Sequence, residues 1–386
     1  ALAIASRGSL HAVAVINSFE AKDVKAQAMQ LAIETLKKEE TDLVAKHEAV
    51  WTDFWAASGV CLSDDFMNRT WYRNLYFFRC VSKPGVACPG LFAGMFGSSA
   101  AWHGGHTMNY NAEQTYWTPF ATNHCELAEP YVRMITEYRT RARWLCRKLF
   151  DCDGEYYPHN IFVHEPLDPE KCKSKLGRQF FWMSWSYSHC VSGFAVQNLW
   201  FAYKYAPDRS FLESIAYPAV REVAIFYANF IDQCDERPEG KVVLGPTVSP
   251  EHYGWTHKLK YNRNCTFDIA MFRYIFEAAI EGATELGTDE NLVERWEEAM
   301  TRLPDYPTTD GDKPVVVDVQ DAPPGNYNIA VPATPVFPSD VVTWFSSQDE
   351  MDLFERTIGG CRWNGNNSVI ILSVARARLS LSLIHI

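Results

Sequence analysis

The sequence FDIAMFRYIFEAAIEGATEL, from Phe267 to Leu286, carries the strongest structural signal in the chain. Its apolar residues recur at intervals of three and four, the spacing that lines one face of an α-helix. Gly287 follows directly and is typical of a helix C-terminus. The pattern predicts a long buried helix with one inward face, formed by Ile269, Phe272, Ile275, Phe276, Ala279 and Ala283.

Similar helical patterns lie on both sides of this stretch, and long loops rich in polar and aromatic residues separate them. Loops of this length are uncommon unless they carry function. Strand signals are few, limited to short rim hairpins near Lys241–Leu244 and Val315–Val319. The chain therefore predicts a mainly α, toroidal arrangement, with helices over Ala128–Leu149, Ser192–Tyr205, Phe211–Ile231 (kinked at Pro218), Asp289–Arg302 and Ser368–Leu379, and one starting near Ser63–Asp65.

The two ends are predicted to lie outside this helical domain, which covers residues 51–380. Residues 1–19 end in a weakly alternating segment and are expected to be the remnant of an upstream β domain. Residues 20–50 are polar with a weak apolar stripe and predict a helical linker. The final LSLIHI, residues 381–386, resembles the in-frame translation of a common sequencing adapter and is expected to be an artefact.

Composition excludes several classes of partner. The net charge of −11 and the lack of a basic stripe argue against nucleic acid and against an anionic membrane surface. No apolar run is long enough to span a bilayer. Eleven cysteines occur without a C-x-x-C pair, which removes the usual zinc-ribbon and redox motifs. Aromatic residues make up 14% of the chain, and their faces suit both core packing and sugar rings.

The segment WHGGHTMNYNAEQTYW, residues 102–117, is the richest in polar and aromatic side chains. Asn109 and Asn111 stand two residues apart, so in an extended backbone both amides project the same way. Two such amides hold a water molecule, although they need a nearby carboxylate to activate it. The alternative is a polar loop whose amides satisfy the backbone. Candidate sugar contacts in this segment are Trp102, His103, His106, Gln114 and Trp117.

A second segment, GPTVSPEHYGW from Gly245 to Trp255, places Glu251 among aromatic residues. A carboxyl group packed against aromatic rings loses hydration, which raises its pKa. A protonated carboxyl is what a general acid for a glycosidic oxygen requires. Glu251 is thus a candidate general acid, with His252 and Tyr253 as candidate sugar contacts. The alternative is an ordinary acid on a surface loop.

Motifs for other chemistries are missing. The histidines His103, His106, His124 and His189 lack an H-E-x-x-H pattern, so no metal is predicted. Neither a phosphate-binding glycine loop nor a G-x-S-x-G elbow occurs. The sequence therefore predicts neither a metal nor an organic cofactor.

An ordered series of segments resembles glycoside hydrolase family 95, the inverting α-L-fucosidase and α-L-galactosidase family. The series comprises MNYNAEQTYW, SGFAVQNLWFAYKYAPDRSFLESIAYPAVREVAIFYANF, VSPEH, FDIAMFRYIFEAAIEGATELGTDENLVERWEEAMTRLPDY and SVARARL. The resemblance implies an (α/α)6 barrel, here incomplete at both ends, preceded by a β-sandwich and a helical linker. It also implies an oligosaccharide or glycoconjugate substrate and favours a secreted or extracytoplasmic location; the oligomeric state stays open.

The resemblance also assigns roles to single residues. Glu251 matches the general acid, and Asn109 and Asn111 match the amide pair that positions the water. Asp340 is the candidate for the acid that supports this pair. One departure stands out, because Asn328-Ile329 replaces the family's Arg-His pair, which contacts the sugar. A changed substrate, an inactive carbohydrate-binding relative and a phosphorylase or other sugar-active enzyme on the same toroid are the alternatives.

Overall fold

The computed structural model of the protein describes residues 1–91, 101–162, 165–173 and 184–381, without the side chains of Ala101, His103 and Trp363. The chain divides into two compact units, Ala1–Arg69 and Thr70–Ile386. Residues 382–386 of the expected adapter segment lie outside the described residues. The predicted boundaries at 19/20, 50/51 and 380/381 stay predictions.

The first unit combines a β-hairpin with helices. Strands β1 (Leu2–Arg7) and β2 (Leu10–Val15) pair in antiparallel register, with Leu2 opposite Val15. Two helices follow, α1 (Val24–Leu36) and α2 (Glu40–Ala57), and the Asp23 side chain caps the first by accepting from the Ala26 N–H. A small core joins the hairpin to α1 through Ala12, Ala14, Ile16, Ala28 and Ala32.

Helices also dominate the rest of the described chain. They run from α3 to α13: Asp65–Val81, Asn111–Thr115, Trp117–Ala121, Glu129–Phe150, Cys190–Tyr205, Arg209–Phe211, Tyr217–Asp232, Thr266–Leu286, Glu290–Arg302, Gln348–Gly360 and Asn366–Arg378. Four two-residue strands form two pairs, antiparallel β3 (His106–Thr107) with β4 (Asn160–Ile161) and parallel β5 (Asn326–Tyr327) with β6 (Arg362–Trp363). The prediction of a mainly α fold is confirmed.

Helix α10 (Thr266–Leu286) forms the centre of the core, packed against α7, α9 and α11. All six predicted inward residues are buried, and Gly287 ends the helix in the left-handed conformation at φ 66°. Its N–H donates to the carbonyls of Ala283 and Thr284, as a C-terminal cap should. Periodicity therefore identified both the buried face of this helix and its end.

Close approach of α7, α9 and α10 depends on one tyrosine. The ring of Tyr227 on α9 stacks on Phe272 of α10 at 3.6 Å between centroids. Its hydroxyl accepts from the Gly193 N–H at 2.7 Å and donates to the His189 carbonyl at 2.8 Å. A Cβ on Gly193 would lie only 2.9 Å from the Tyr227 hydroxyl and from Ile275 Cγ1, so only glycine allows this approach.

Other sequence expectations are met less completely. The predicted kink at Pro218 takes the form of a π-helical turn, Leu212–Ala216, followed by α9 with the proline in its first turn. The rim hairpins shrink to single bridges, Glu236 to Val242 and Thr308 to Val316. Helix α12 was not predicted.

We expect Phe272→Ala to lower the free energy of unfolding by about 3–5 kcal/mol, because it removes a completely buried ring and leaves a cavity beside Tyr227. Denaturant titration measures the change. The matched control is Phe345→Ala, since Phe345 is 98% exposed and should change stability by less than about 0.5 kcal/mol. Equal losses in both variants would contradict this account of the core.

Candidate active site

The loop that carries Glu251 is anchored on Asp268, in the first turn of α10. One carboxylate oxygen accepts from the Cys190 N–H at 2.7 Å, and the other accepts from the Thr247 hydroxyl at 2.5 Å. Burial raises the pKa of Asp268 to about 6. The carboxyl thus joins the start of α7 to the start of the loop.

A second buried carboxyl, Asp318, holds the middle of the same loop. Its oxygens accept from the Ser249 hydroxyl and from His252 Nδ1, each at 2.5 Å. The bond to Nδ1 fixes the orientation of the His252 ring, which is partly exposed. Asp318 was not among the predicted site residues, although an acid inside the apolar run PVVVDV indicates a buried carboxyl with partners.

Backbone contacts complete the support of the loop. His189 Nε2 donates to the Pro246 carbonyl at 2.9 Å, and the Val248 N–H donates to the Tyr187 carbonyl at 3.1 Å. The Asn262 amide donates to the carbonyls of Thr247 and Gly254, both at 2.8 Å. The loop is therefore preorganised from several sides.

Glu251 itself is exposed and adopts a left-handed backbone at φ 58°. Its Oε2 accepts from the Asn328 amide at 2.9 Å. The expectation that aromatic rings strip water from this carboxyl is wrong, since the turn leaves the side chain at the surface beside a polar partner. Asn328 occupies one position of the Arg-His pair that the resemblance led us to expect. The residue that differs from the family pattern therefore contacts the candidate acid directly.

Asn328 is itself fixed by the segment that leads into α13. Its Oδ1 accepts from the Asn367 amide at 3.4 Å, and a Cβ added to Gly365 would lie 2.5 Å from the same oxygen. Neighbouring Tyr327 accepts at its carbonyl from the Asn364 N–H at 2.8 Å and from the Ser368 hydroxyl. These contacts limit the positions that the Asn328 amide can take.

The asparagine pair does not lie on an extended backbone. Residues 108–110 form a turn and Asn111 is the first residue of α4, so the predicted common direction does not follow from alternation. Asn109 is completely buried, and in the described part of the chain neither its Oδ1 nor its Nδ2 has a hydrogen-bond partner. Asn111 is partly buried and lines a small cavity together with His106, Thr107 and Tyr116.

A chain of hydrogen bonds connects this turn to Glu251. The Tyr110 hydroxyl, between the two asparagines, donates to the Asn367 carbonyl at 2.8 Å. The Asn367 amide donates to Asn328 Oδ1, and the Asn328 amide donates to Glu251. Segments 141 residues apart in sequence, at 110 and 251, are thus joined through two intervening residues, Asn367 and Asn328.

The other predicted sugar contacts in residues 102–117 are scattered. Trp102 is exposed, whereas His106 is buried with its ring nitrogens 3.1 Å and 3.3 Å from the carbonyl oxygens of Cys88 and Ile161. Burial lowers the pKa of His106. The side chain of His103 lies outside the described residues. Near Glu251, the ring of Tyr253 lies 4.7 Å from that of Tyr261.

Gln114, Trp117 and Asp340 lie together along a separate groove of about 640 Å³. The groove is also lined by Trp200, in the second half of α7. Trp200 lies about 17 Å along the helix axis from His189, the residue that contacts the Glu251 loop, at a rise of about 1.5 Å per residue. Asp340 forms an ion pair with Arg378. Its proposed support of the asparagine pair stays a prediction.

Among the described residues, no group of three or more His, Cys, Asp or Glu side chains is arranged to hold a metal ion. Nor does any helix in these ranges have the length and apolar character needed to cross a membrane.

Comparison with known proteins identifies the family. The model of the glycosyl hydrolase family 95 catalytic domain matches residues 63–312. The chain therefore belongs to glycoside hydrolase family 95, as its ordered motifs suggested.

Two single relatives add detail. "Probable alpha-fucosidase A" of Aspergillus niger is 23% identical over 221 residues, which cover 56% of this chain. This chain spans about a quarter of the length of that relative, 26%. The solved structure of "Putative kojibiose phosphorylase from human microbiome" matches 72% of this chain and 40% of its own, with a TM-score of 0.53 and 14% identity. That likeness concerns the fold alone and confirms the (α/α)6 toroid.

We expect His189→Gln to weaken the acid sensitivity of the protein. Burial lowers the pKa of His189 to about 4, below its unfolded value near 6.5. As the pH falls from about 6.5 to about 4, His189 takes up a proton in the unfolded chain but not in the folded protein. The free energy of unfolding that His189 contributes above about pH 6.5 is therefore lost by about pH 4. The loss is on the order of 3 kcal/mol.

Denaturant unfolding between about pH 4 and pH 7 measures this slope. Gln keeps a donor for the Pro246 carbonyl but does not titrate, so its slope should be shallower. The control is His47→Gln, because His47 is exposed. A slope identical to that of the parent protein would show that His189 is not the acid-sensitive group.

Proposed function

We propose that the protein hydrolyses a terminal α-L-fucoside or α-L-galactoside with inversion of configuration. Membership of family 95 supports glycoside hydrolysis. The name of the Aspergillus relative supports a fucoside-like sugar, and the substrate is expected to be an oligosaccharide or glycoconjugate. A secreted or extracytoplasmic location is proposed on the same family grounds.

In the proposed reaction, Glu251 protonates the glycosidic oxygen as the bond to the anomeric carbon breaks. A water molecule held by Asn109 and Asn111 attacks that carbon from the opposite face and gives up one proton to a carboxylate base, the role proposed for Asp340. Inverting enzymes place their acid and their water-activating group about 6.5–9.5 Å apart to make room for this water.

The amide of Asn109 suits the role of binding this water because its buried oxygen and nitrogen have no partner among the described residues. An unpaired buried polar group is costly until a water or sugar hydroxyl satisfies it.

The observation that carries the proposal is the hydrogen-bond chain from Tyr110 through Asn367 and Asn328 to Glu251. It couples the position of the candidate acid to the turn that bears the candidate water-binding amides. The buried carboxyls of Asp268 and Asp318 hold the acid loop from beneath. Such preorganisation is what positions a proton donor against one oxygen atom.

Asn328 gives the site a neutral partner beside the acid where the family pattern has a cationic pair. A neutral amide accepts and donates hydrogen bonds but supplies no positive charge. We therefore propose that the reaction type is retained while the preferred sugar or its linkage differs from that of the family pattern.

The Glu251→Gln variant should lose at least about 100-fold in kcat, because an amide cannot donate the proton that the leaving oxygen needs. Hydrolysis of α-L-fucosyl and α-L-galactosyl oligosaccharides, followed by proton NMR of the first sugar released, tests rate and stereochemistry together. Inversion requires the β-anomer as the first product.

Glu239→Gln, in an exposed loop, is the matched control and should retain activity. Turnover by Glu251→Gln at the parental rate would refute the assignment. Sugar binding by the parent protein without any product would favour an inactive carbohydrate-binding protein. A rate that requires inorganic phosphate would favour phosphorolysis.

Asn328→Ala should lower kcat by about tenfold while changing KM little, since it frees the Glu251 carboxyl to adopt other rotamers. Steady-state kinetics on the best substrate measures both constants. Asn326→Ala is the control, because Asn326 is exposed two residues away. Unchanged kinetics in Asn328→Ala would remove Asn328 from the site.

A further inference from the structure

Two cysteines meet at the end of α6, far along the sequence from the proposed acid. Cys146 lies in the last turns of the helix and is completely buried, whereas Cys152 follows the helix and is partly exposed. Their sulfur atoms are 3.7 Å apart. A disulfide needs about 2.05 Å, so each sulfur has to move by less than about 1 Å.

The turn that carries Cys152 is held in place by its surroundings. Asp151 ends the helix in the left-handed conformation at φ 50°, and its N–H donates to the Arg147 carbonyl at 3.2 Å. The Asp153 carbonyl accepts from the Asn229 amide at 2.8 Å. A Cβ on Gly154 would lie 2.5 Å from the Phe226 backbone nitrogen. The two sulfurs are therefore kept close by the fold.

The environments of the two thiols differ in a useful way. The hydrogen bond from Cys146 lowers the pKa of Cys152. The same bond, followed by burial, raises the pKa of Cys146. The partly exposed thiol is thus the better nucleophile toward a reagent in solution, and the buried thiol is positioned to react second.

We propose that Cys146 and Cys152 form a redox-active pair that a small-molecule disulfide oxidises to an intramolecular disulfide. The Cys152 thiolate attacks the reagent, forms a mixed disulfide and releases one small thiol. The Cys146 sulfur then attacks the Cys152 sulfur and releases the second small thiol. The protein loses two protons and two electrons, and the reagent gains both.

The bond would tie the end of α6 to the turn after it, and that turn contacts α9 through Asn229. Next to the turn, the buried Glu155 carboxyl accepts from Arg139 at 2.8 Å and lies 2.9 Å from Arg143. The backbone N–H of Glu155 donates to the Glu222 carbonyl of α9 at 3.2 Å. A cross-link from Cys146 to Cys152 limits how far this turn can move away from α6. Oxidation is therefore expected to raise Tm by a few degrees, as for other short closed loops.

The test treats the folded, reduced protein with oxidised glutathione and then digests it with trypsin at acidic pH. Cleavage after Arg143, Arg147, Lys148 and Lys171 leaves the two cysteines on separate peptides, 144–147 and 149–171, each with one cysteine. The expected result is a disulfide-linked pair of these peptides, together with the rise in Tm. The Cys146→Ser variant should instead accumulate glutathione on Cys152.

Cys125→Ser is the control, since Cys125 is partly exposed like Cys152 and should leave the linked peptides unchanged. Recovery of both peptides as free thiols from the treated parent protein would overturn the proposal. So would a lasting glutathione adduct on Cys152 in the parent protein, because it would show that Cys146 does not resolve it. Neither outcome bears on Glu251 or on glycoside hydrolysis.

Discussion

Both the packing of the helical core and the position of the loop that carries Glu251, the acid loop, depend on the hydroxyl of Tyr227. It accepts from Gly193 and donates to His189, so it fixes the first turn of α7 against α9. From that turn, His189 contacts Pro246 and the Cys190 N–H contacts Asp268. The stack of Tyr227 on Phe272 adds α10 to the same arrangement. Core packing thereby sets the position of the loop that carries Glu251.

Buried polar groups fix the acid loop on the surface of the packed core. Burying a carboxyl is costly unless it is hydrogen-bonded, and Asp268 and Asp318 are each satisfied by side chains or N–H groups of the acid loop or of α7. Any displacement of the loop would leave these oxygens unpaired inside the protein. The exposed Glu251 thus rests on a rigid support, an arrangement that agrees with a catalytic role for this side chain.

Much of the fold followed from periodicity. The helices around Phe267–Leu286 and Ala128–Leu149 were located to within a residue at their ends, because a continuous apolar stripe and a clear stop signal define them locally. Helix α12 escaped prediction because QDEMDLFERTIGG offers a short and interrupted stripe. In the site, Glu251 and the Asn109/Asn111 pair were singled out by composition and resemblance. Asp318 and Asp268 were not, since their importance comes from partners 66 and 21 residues away in sequence.

The sequence by itself determined the helical class, the family and the candidate chemical groups, because spacing and residue type are local properties that survive without coordinates. The tertiary structure alone decided which of these groups meet. It placed Asn328 on Glu251, linked Tyr110 to both through Asn367, and sent Gln114, Trp117 and Asp340 to a separate groove. It also replaced the expected desolvation of Glu251 by exposure. Such outcomes depend on contacts between distant segments, and those contacts are fixed only when the whole core packs.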